Sequence, residues 1–211
     1  MNKIKKFFSD LNPITIPTVV MVVICIVVTG ALAGTNLLTK AKIKQIEAEQ
    51  QKESMKEVLK AEDYEEKAVS VKFEKETEKC TYYVAKNGET EVGYIYIVTE
   101  KGYGGDVKVM TAVNQDGNIK AVKVLDVSNE TPGLGQNTGN EEWYSQFSGL
   151  DGGKEITVQK SGADKNNNEI NAVTGATISS SAVTRAVNKA LTIDKTVGRT
   201  ITQTSEGTGN E

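Results

Sequence analysis

Apolar and polar positions along the chain fall into three regimes. No charged residue stands between Asp10 and Lys40, and Val19 to Val28 is continuously apolar. A run of this length crosses a bilayer as a helix. The pattern predicts a transmembrane helix over 14–38 behind a short N-terminus, 1–13. Pro13 and Pro17 suit its entry, and Thr39-Lys40 marks its polar exit. Residues 39–62 are rich in Lys, Glu, Gln and Ala, with an interrupted apolar stripe at Ile43, Ile46, Met55, Val58 and Leu59, which predicts a membrane-proximal helix.

From residue 63 the period changes. Gly93 to Val98 and Val107 to Val113 read as strands, and Asn114 to Asn118 turns the chain into a further strand from Ile119 to Val127. Thr81 to Ala85 before the Asn87-Gly88 turn, and Ile156 to Gln159, are shorter candidates. A 3.6-residue period returns at Ala182, Val183, Ala186, Val187, Ala190 and Leu191, the buried stripe of a helix, with Thr184, Arg185, Asn188 and Lys189 outside it. Strands joined by tight turns and followed by a helix predict an α+β domain over 63–200, built on a mainly antiparallel sheet with flanking helices. The last residues, 201–211, and above all Thr204 to Glu211, have the composition of a disordered tail.

Charge and rare residues narrow the chemistry. The chain is net −3, and only Lys3, Lys5, Lys6 and Asp10 are charged before Lys40, so the polar portion is acidic and argues against nucleic acid as a partner. There is no histidine, which removes His-based triads, His general bases and His metal ligands. Neither catalytic residues nor a metal site is therefore expected, and any redox chemistry must come from a cofactor. Cys25 in the apolar run and Cys80 in the polar domain read as free thiols. Lysines on both sides of the apolar run leave orientation undecided by charge. Ala31-Leu32-Ala33 before Gly34 also fits a signal-peptide cleavage site, although the run is long for a signal core.

The densest candidate chemistry is Asn171-Ala172-Val173-Thr174-Gly175-Ala176-Thr177-Ile178-Ser179-Ser180-Ser181, where five hydroxyl side chains surround a Gly-Ala turn at a helix start. Two readings fit. One is an ordinary Ser/Thr helix cap. The other is a phosphate cradle, because the free N–H groups and dipole of a helix start favour an anion and Gly175 admits a close approach. Gly102-Tyr103-Gly104-Gly105 precedes a strand rather than a helix, so it reads as a loop and not a dinucleotide fingerprint. In Glu130-Thr131-Pro132-Gly133-Leu134-Gly135, Pro132-Gly133 suits the centre of a type II turn. Trp143, Tyr144 and Phe147 form an aromatic group best read as core, and Lys160 alone reads as solvated.

Thr174-Gly175-Ala176-Thr177-Ile178-Ser179 resembles the signature at which FMN-binding domains carry flavin mononucleotide through a phosphoester. From the apolar run to about Leu191 the chain resembles the G subunit of Rnf ion-translocating electron transport complexes. It is more distantly similar to the C subunit of sodium-pumping NADH:quinone oxidoreductases. The resemblance implies covalent FMN on Thr177, with Thr174, Gly175, Ala176 and Ser179 around it. It further implies Thr131, Leu134 and Gly135 beside the ring, and Lys160 approaching the cofactor. One departure is Asn171, where the family carries Asp.

The implied function is an electron relay within an ion-translocating ferredoxin:NAD oxidoreductase, with no independent activity. The flavin domain would stand on the outer face of the cell membrane and residues 1–13 in the cytoplasm. Implied partners are the other Rnf-type subunits and, during maturation, a flavin-attaching transferase. The quinone-reducing relative and a non-redox anchored binding module remain alternatives.

Overall fold

The computed structural model describes residues 15–73 and 76–206. The N-terminus 1–13 and the last tail residues, 207–211, lie outside the described residues. A single helix, α1 (Thr15–Val58), runs through both helices predicted from the sequence and ends at Val58, short of the expected 62. The chain divides into two units, Met1–Gln50 and Gln51–Glu211.

In the first unit, Pro17–Lys40 is a 24-residue stretch of mean hydropathy 2.4 with none of it buried, long and apolar enough to cross a membrane. Two of its hydroxyls are satisfied within the helix: Thr35 Oγ1 donates to Ala31 O and Thr39 Oγ1 to Thr35 O, both at 2.9 Å. Such bonds remove the cost of unpaired polar groups where no water is available. Cys25 is exposed on this helix, and Cys80 in the second unit is half-buried; both are free thiols.

The second unit is built on an antiparallel sheet of five strands in sequential order: β1 (Asp63–Phe73), β2 (Glu76–Asn87), β3 (Thr90–Lys101), β4 (Asp106–Asn114) and β5 (Ile119–Asp126). The α+β expectation holds. The predicted Asn114–Asn118 turn joins β4 to β5 and closes with Asn114 N donating to Asn118 O and Gly117 N to Asn114 O. After β5 come a 3-10 turn (Gly135–Gly139), a short helix α2 (Glu141–Tyr144), and a parallel pair, β6 (Thr157–Gln159) with β7 (Glu169–Asn171). The last described element is α3 (Thr177–Glu206).

Helices cover both faces of the sheet. On one face the predicted stripe of α3, continued by Ile193 and Val197, packs against Val84, Tyr96, Val107, Val109 and Val122. On the other, Met55, Val58 and Leu59 from the end of α1 pack on Ala85, Ile95, Met110 and Ala112. This double cover explains why Val107 to Val113 has no polar alternation, since side chains on either face enter a core. Removing each such Val, Ile, Leu or Met side chain from water contributes about 1.5–3 kcal/mol.

Two expectations are modified. Thr184 is buried, because its hydroxyl donates back to Ser180 O at 2.9 Å and its methyl can then join the core. Helix α3 runs on to Glu206, so residues 201–206, expected to be disordered, are helical. Extending a nucleated helix costs far less than starting one.

Candidate cofactor site

β7 delivers the hydroxyl cluster to the start of α3, and it is held from three sides. Asn171 N donates to Gln146 Oε1 (2.9 Å), its carbonyl accepts from Trp143 Nε1 (2.8 Å), and its Oδ1 accepts from Ala163 N (3.0 Å). The Asn171 side chain thus acts as an acceptor for a loop amide, a role a carboxylate would fill equally. Trp143 packs edge-on against the buried Phe147 at 5.7 Å and braces β7. Its core reading fits this placement.

Beyond β7 the chain turns at Val173–Ala176, with Ala176 N donating to Val173 O (2.9 Å) and Gly175 at φ +78°. That left-handed conformation suits glycine. A Cβ there would also press on Leu134 Cδ2 at 3.1 Å. Ala176, which precedes α3, has no hydroxyl with which to cap it. Ser180 N, bonded to Ala176 O, is the first amide the helix satisfies, so the first-turn amides before it are donors without helical acceptors.

The five hydroxyls divide by partner. Ser180 Oγ accepts from Val173 N and donates to Ala176 O, closing the turn. Ser179 Oγ, buried, donates to Glu130 Oε2 at 2.6 Å. Thr177 is exposed on a cleft of about 450 Å³ lined by Tyr103, Thr131, Leu134, Gly135, Gly175, Ala176, Thr177, Ile178 and Ser179. Thr174 is exposed beside this lining, Ser181 is partly buried behind it, and Lys160, exposed at the end of β6, also lies outside it. Among the described residues, Thr177 is the hydroxyl of the cluster that both faces the cleft and makes no hydrogen bond within the chain.

The opposite wall is the 128–139 loop. Leu134 N donates to Thr131 O (3.1 Å) with Gly133 at φ +76°, the type II turn read from Pro132-Gly133. Asn137 Nδ2 to Gly133 O and Thr138 Oγ1 to Gly135 O hold the loop on itself. The turn leaves Leu134 44% exposed; Tyr103 at 71% and Ile178 at 55% complete an apolar set facing the cleft. Exposed large apolar groups converging on one cleft are the usual lining of a ligand site.

Glu130 ties the walls together from behind. Its Oε1 accepts from Tyr103 N (2.8 Å) and Gly104 N (3.2 Å), while Oε2 takes the Ser179 hydroxyl. Gly102 and Gly135 are glycines because a Cβ on either would collide with a Glu130 oxygen. The glycine-rich loop that reads as punctuation is therefore one side of the site. Tyr103, Ile178 and the role of Glu130 are additions to the predicted set. The available signal was a Glu opening the Glu-Thr-Pro-Gly-Leu-Gly run.

Residues 102–192 match the model of the FMN-binding domain family, and residues 1–58 match that of the RnfG N-terminal region. The chain is 34% identical to the G subunit of the Na(+)-translocating ferredoxin:NAD(+) oxidoreductase complex of Acetobacterium woodii, covering 82% of this chain and 88% of that one. It belongs to the RnfG family. Other relatives are the G subunits of two further complexes. That of the proton-translocating ferredoxin:NAD(+) oxidoreductase of Clostridium ljungdahlii is 33% identical over 87% of this chain and 92% of the relative. That of the ion-translocating oxidoreductase of Methanosarcina acetivorans is 35% identical over 87% and 95%. Among solved structures, the C subunit of the Na(+)-translocating NADH-quinone reductase of Parabacteroides distasonis shares the fold, with a TM-score of 0.51 at 20% identity over 67% of this chain and 78% of that one. In this RnfG-family chain the FMN-binding match begins at Gly102 and takes in every wall of the cleft.

Proposed function

We propose that this chain is the membrane-anchored flavoprotein subunit of an ion-translocating ferredoxin:NAD oxidoreductase complex and carries FMN as a phosphoester on Thr177. The observation that carries the reading is the pairing of one free, cleft-facing hydroxyl with a helix start that favours a phosphate. The family membership and the names of the relatives support the rest.

The residues fit the group. Thr177 would hold the phosphate at the start of α3, with Gly175, Ala176 and Ser179 shaping the turn and Thr174 flanking it. Thr131, Leu134 and Gly135 would stand on one side of the isoalloxazine ring and Tyr103 and Ile178 close to it, with Lys160 as an outlying contact. The bound flavin supplies the acceptance of one or two electrons and their onward passage singly, chemistry that no side chain here offers. The protein's part is to exclude water along an apolar wall, fix the ring's orientation and keep the cofactor tethered.

Pro17–Lys40 would anchor the protein, with 1–13 in the cytoplasm and the flavin domain on the outer face of the cell membrane. The apolar run offers no charged side chain for an ion path, so the ion would cross in partner subunits of the complex. Sodium- and proton-translocating relatives are almost equally similar to this chain, so similarity selects neither ion. A flavin-attaching transferase would load Thr177 during maturation. The test is in-gel flavin fluorescence under denaturing conditions, from a host that makes the transferase. The chain should fluoresce and Thr177→Ala should not; fluorescence that survives the change would overturn the assignment.

A further inference from the structure

Among the described residues Glu130 is the one acidic or basic side chain that is fully buried, at 2% exposure. No Lys or Arg is paired with it among the described residues. Burying a charge is costly unless it is compensated. Here the compensation comes entirely from donors: Tyr103 N, Gly104 N and the Ser179 hydroxyl. Every one of these contacts is accepted by the carboxylate, the hydrogen-bonding role of its ionised form. A neutral acceptor could satisfy the same loop amides, so loop closure alone does not call for a carboxylate.

Its location is specific. Tyr103, Gly135 and Ser179 all line the cleft, and all three touch Glu130 or crowd its oxygens from the other side of the wall. The carboxylate therefore sits one residue layer behind the cleft, between the loop carrying Tyr103 and the head of α3.

We propose that Glu130 is a positioning residue of the flavin site, a buried anion that holds the Tyr103 loop against the head of α3 and lowers the flavin's midpoint potential. The inference rests on the flavin reading above. Reduction adds negative charge to the ring system, and a fixed anion in a poorly screened environment disfavours that charge. Because the carboxylate is buried, salt screens it less than it would a surface charge.

The test is a redox titration of the visible spectrum of the full-length, detergent-solubilised chain, loaded in a host with the attaching enzyme. Glu130→Gln keeps the size of the side chain and an oxygen for Tyr103 N and Gly104 N but removes the charge. It should carry flavin on Thr177 as the parent does, with its midpoint potential shifted upward. An unchanged potential in fully flavinylated Glu130→Gln would overturn the inference while leaving the flavin reading intact. Ser179→Ala keeps the charge and removes one donor, so it should shift the potential downward. If Glu130→Gln fails to fold or to take flavin, Ser179→Ala decides alone: a downward shift supports the inference, and no shift or an upward one overturns it. A parent chain without flavin would overturn the flavin reading, and this inference with it.

Discussion

Tyr96 Oη donates a 2.7 Å hydrogen bond to Asp194 Oδ1, tying the middle of β3 to α3 across the main core. Burial, followed by the charge of Asp194, pushes the Tyr96 hydroxyl far up, so it remains a donor. Burial also raises the Asp194 carboxyl above the ordinary Asp range, offset only in part by the Tyr96 bond and Lys195. A group with a raised folded-state pKa binds its proton more tightly in the folded protein. Its contribution to stability is present below the ordinary Asp value and is lost as pH rises through the folded-state value. Denaturation midpoints should therefore fall across that window, and Asp194→Asn, which still accepts from Tyr96, should remove that portion of the slope. The same pH slope in both proteins would contradict the assignment.

Thr111 lies on the core face of β4, and its hydroxyl is a buried polar group with no hydrogen-bond partner among the described residues. An unsatisfied buried hydroxyl costs about 1–3 kcal/mol. Thr111→Val keeps the branched shape and should raise stability by about 1 kcal/mol, a gain of about 2–4 °C in melting temperature. A melting temperature that falls would mean that the hydroxyl has a partner.

Local chemistry was legible where one short segment carried the whole signal. The stripe from Ala182 to Leu191 is buried as its period implies, and Pro132-Gly133 makes the turn its residues suggest. β1 was not legible: as an edge strand it is mostly exposed and carries charges at many positions, so it lacks a clean alternation. The inner wall of the cleft was hidden for another reason. Glu130 meets Tyr103 across 27 residues of chain and Ser179 across 49, and neither meeting leaves a mark on any one segment. Gly102 and Gly135 look like turn punctuation, yet their smallness answers to a carboxylate remote from Gly102 in sequence.

Leu134 is partly exposed and faces the cleft, so it contributes little to the folded domain itself. Leu134→Ala should leave stability within about 0.5 kcal/mol and leave the covalent flavin in place. It should alter the visible spectrum and shift the midpoint potential, because an apolar wall and a tether contribute independently. A folded, flavinylated variant with the parent's spectrum and potential would remove this loop from the ring's surroundings.

If Pro17–Lys40 is a retained anchor, the full-length chain should stay with membranes after alkaline washing. External protease should then digest the domain in intact cells or spheroplasts. Complete protection would contradict the outward placement, and release of a shorter chain beginning at Gly34 would show a cleaved signal instead.

The hydroxyl cluster allows the most direct test, because Ser179 and Ser180 are committed to partners while Thr177 is free and faces the cleft. Intact mass and peptide mapping of the chain, made in a host with the flavin-attaching enzyme, read that difference. One FMN, less the water lost on esterification, should appear on the peptide containing Thr177 and be absent from Thr177→Ala. An unmodified parent mass, or an adduct that maps to Thr174 or Ser179, would contradict the account.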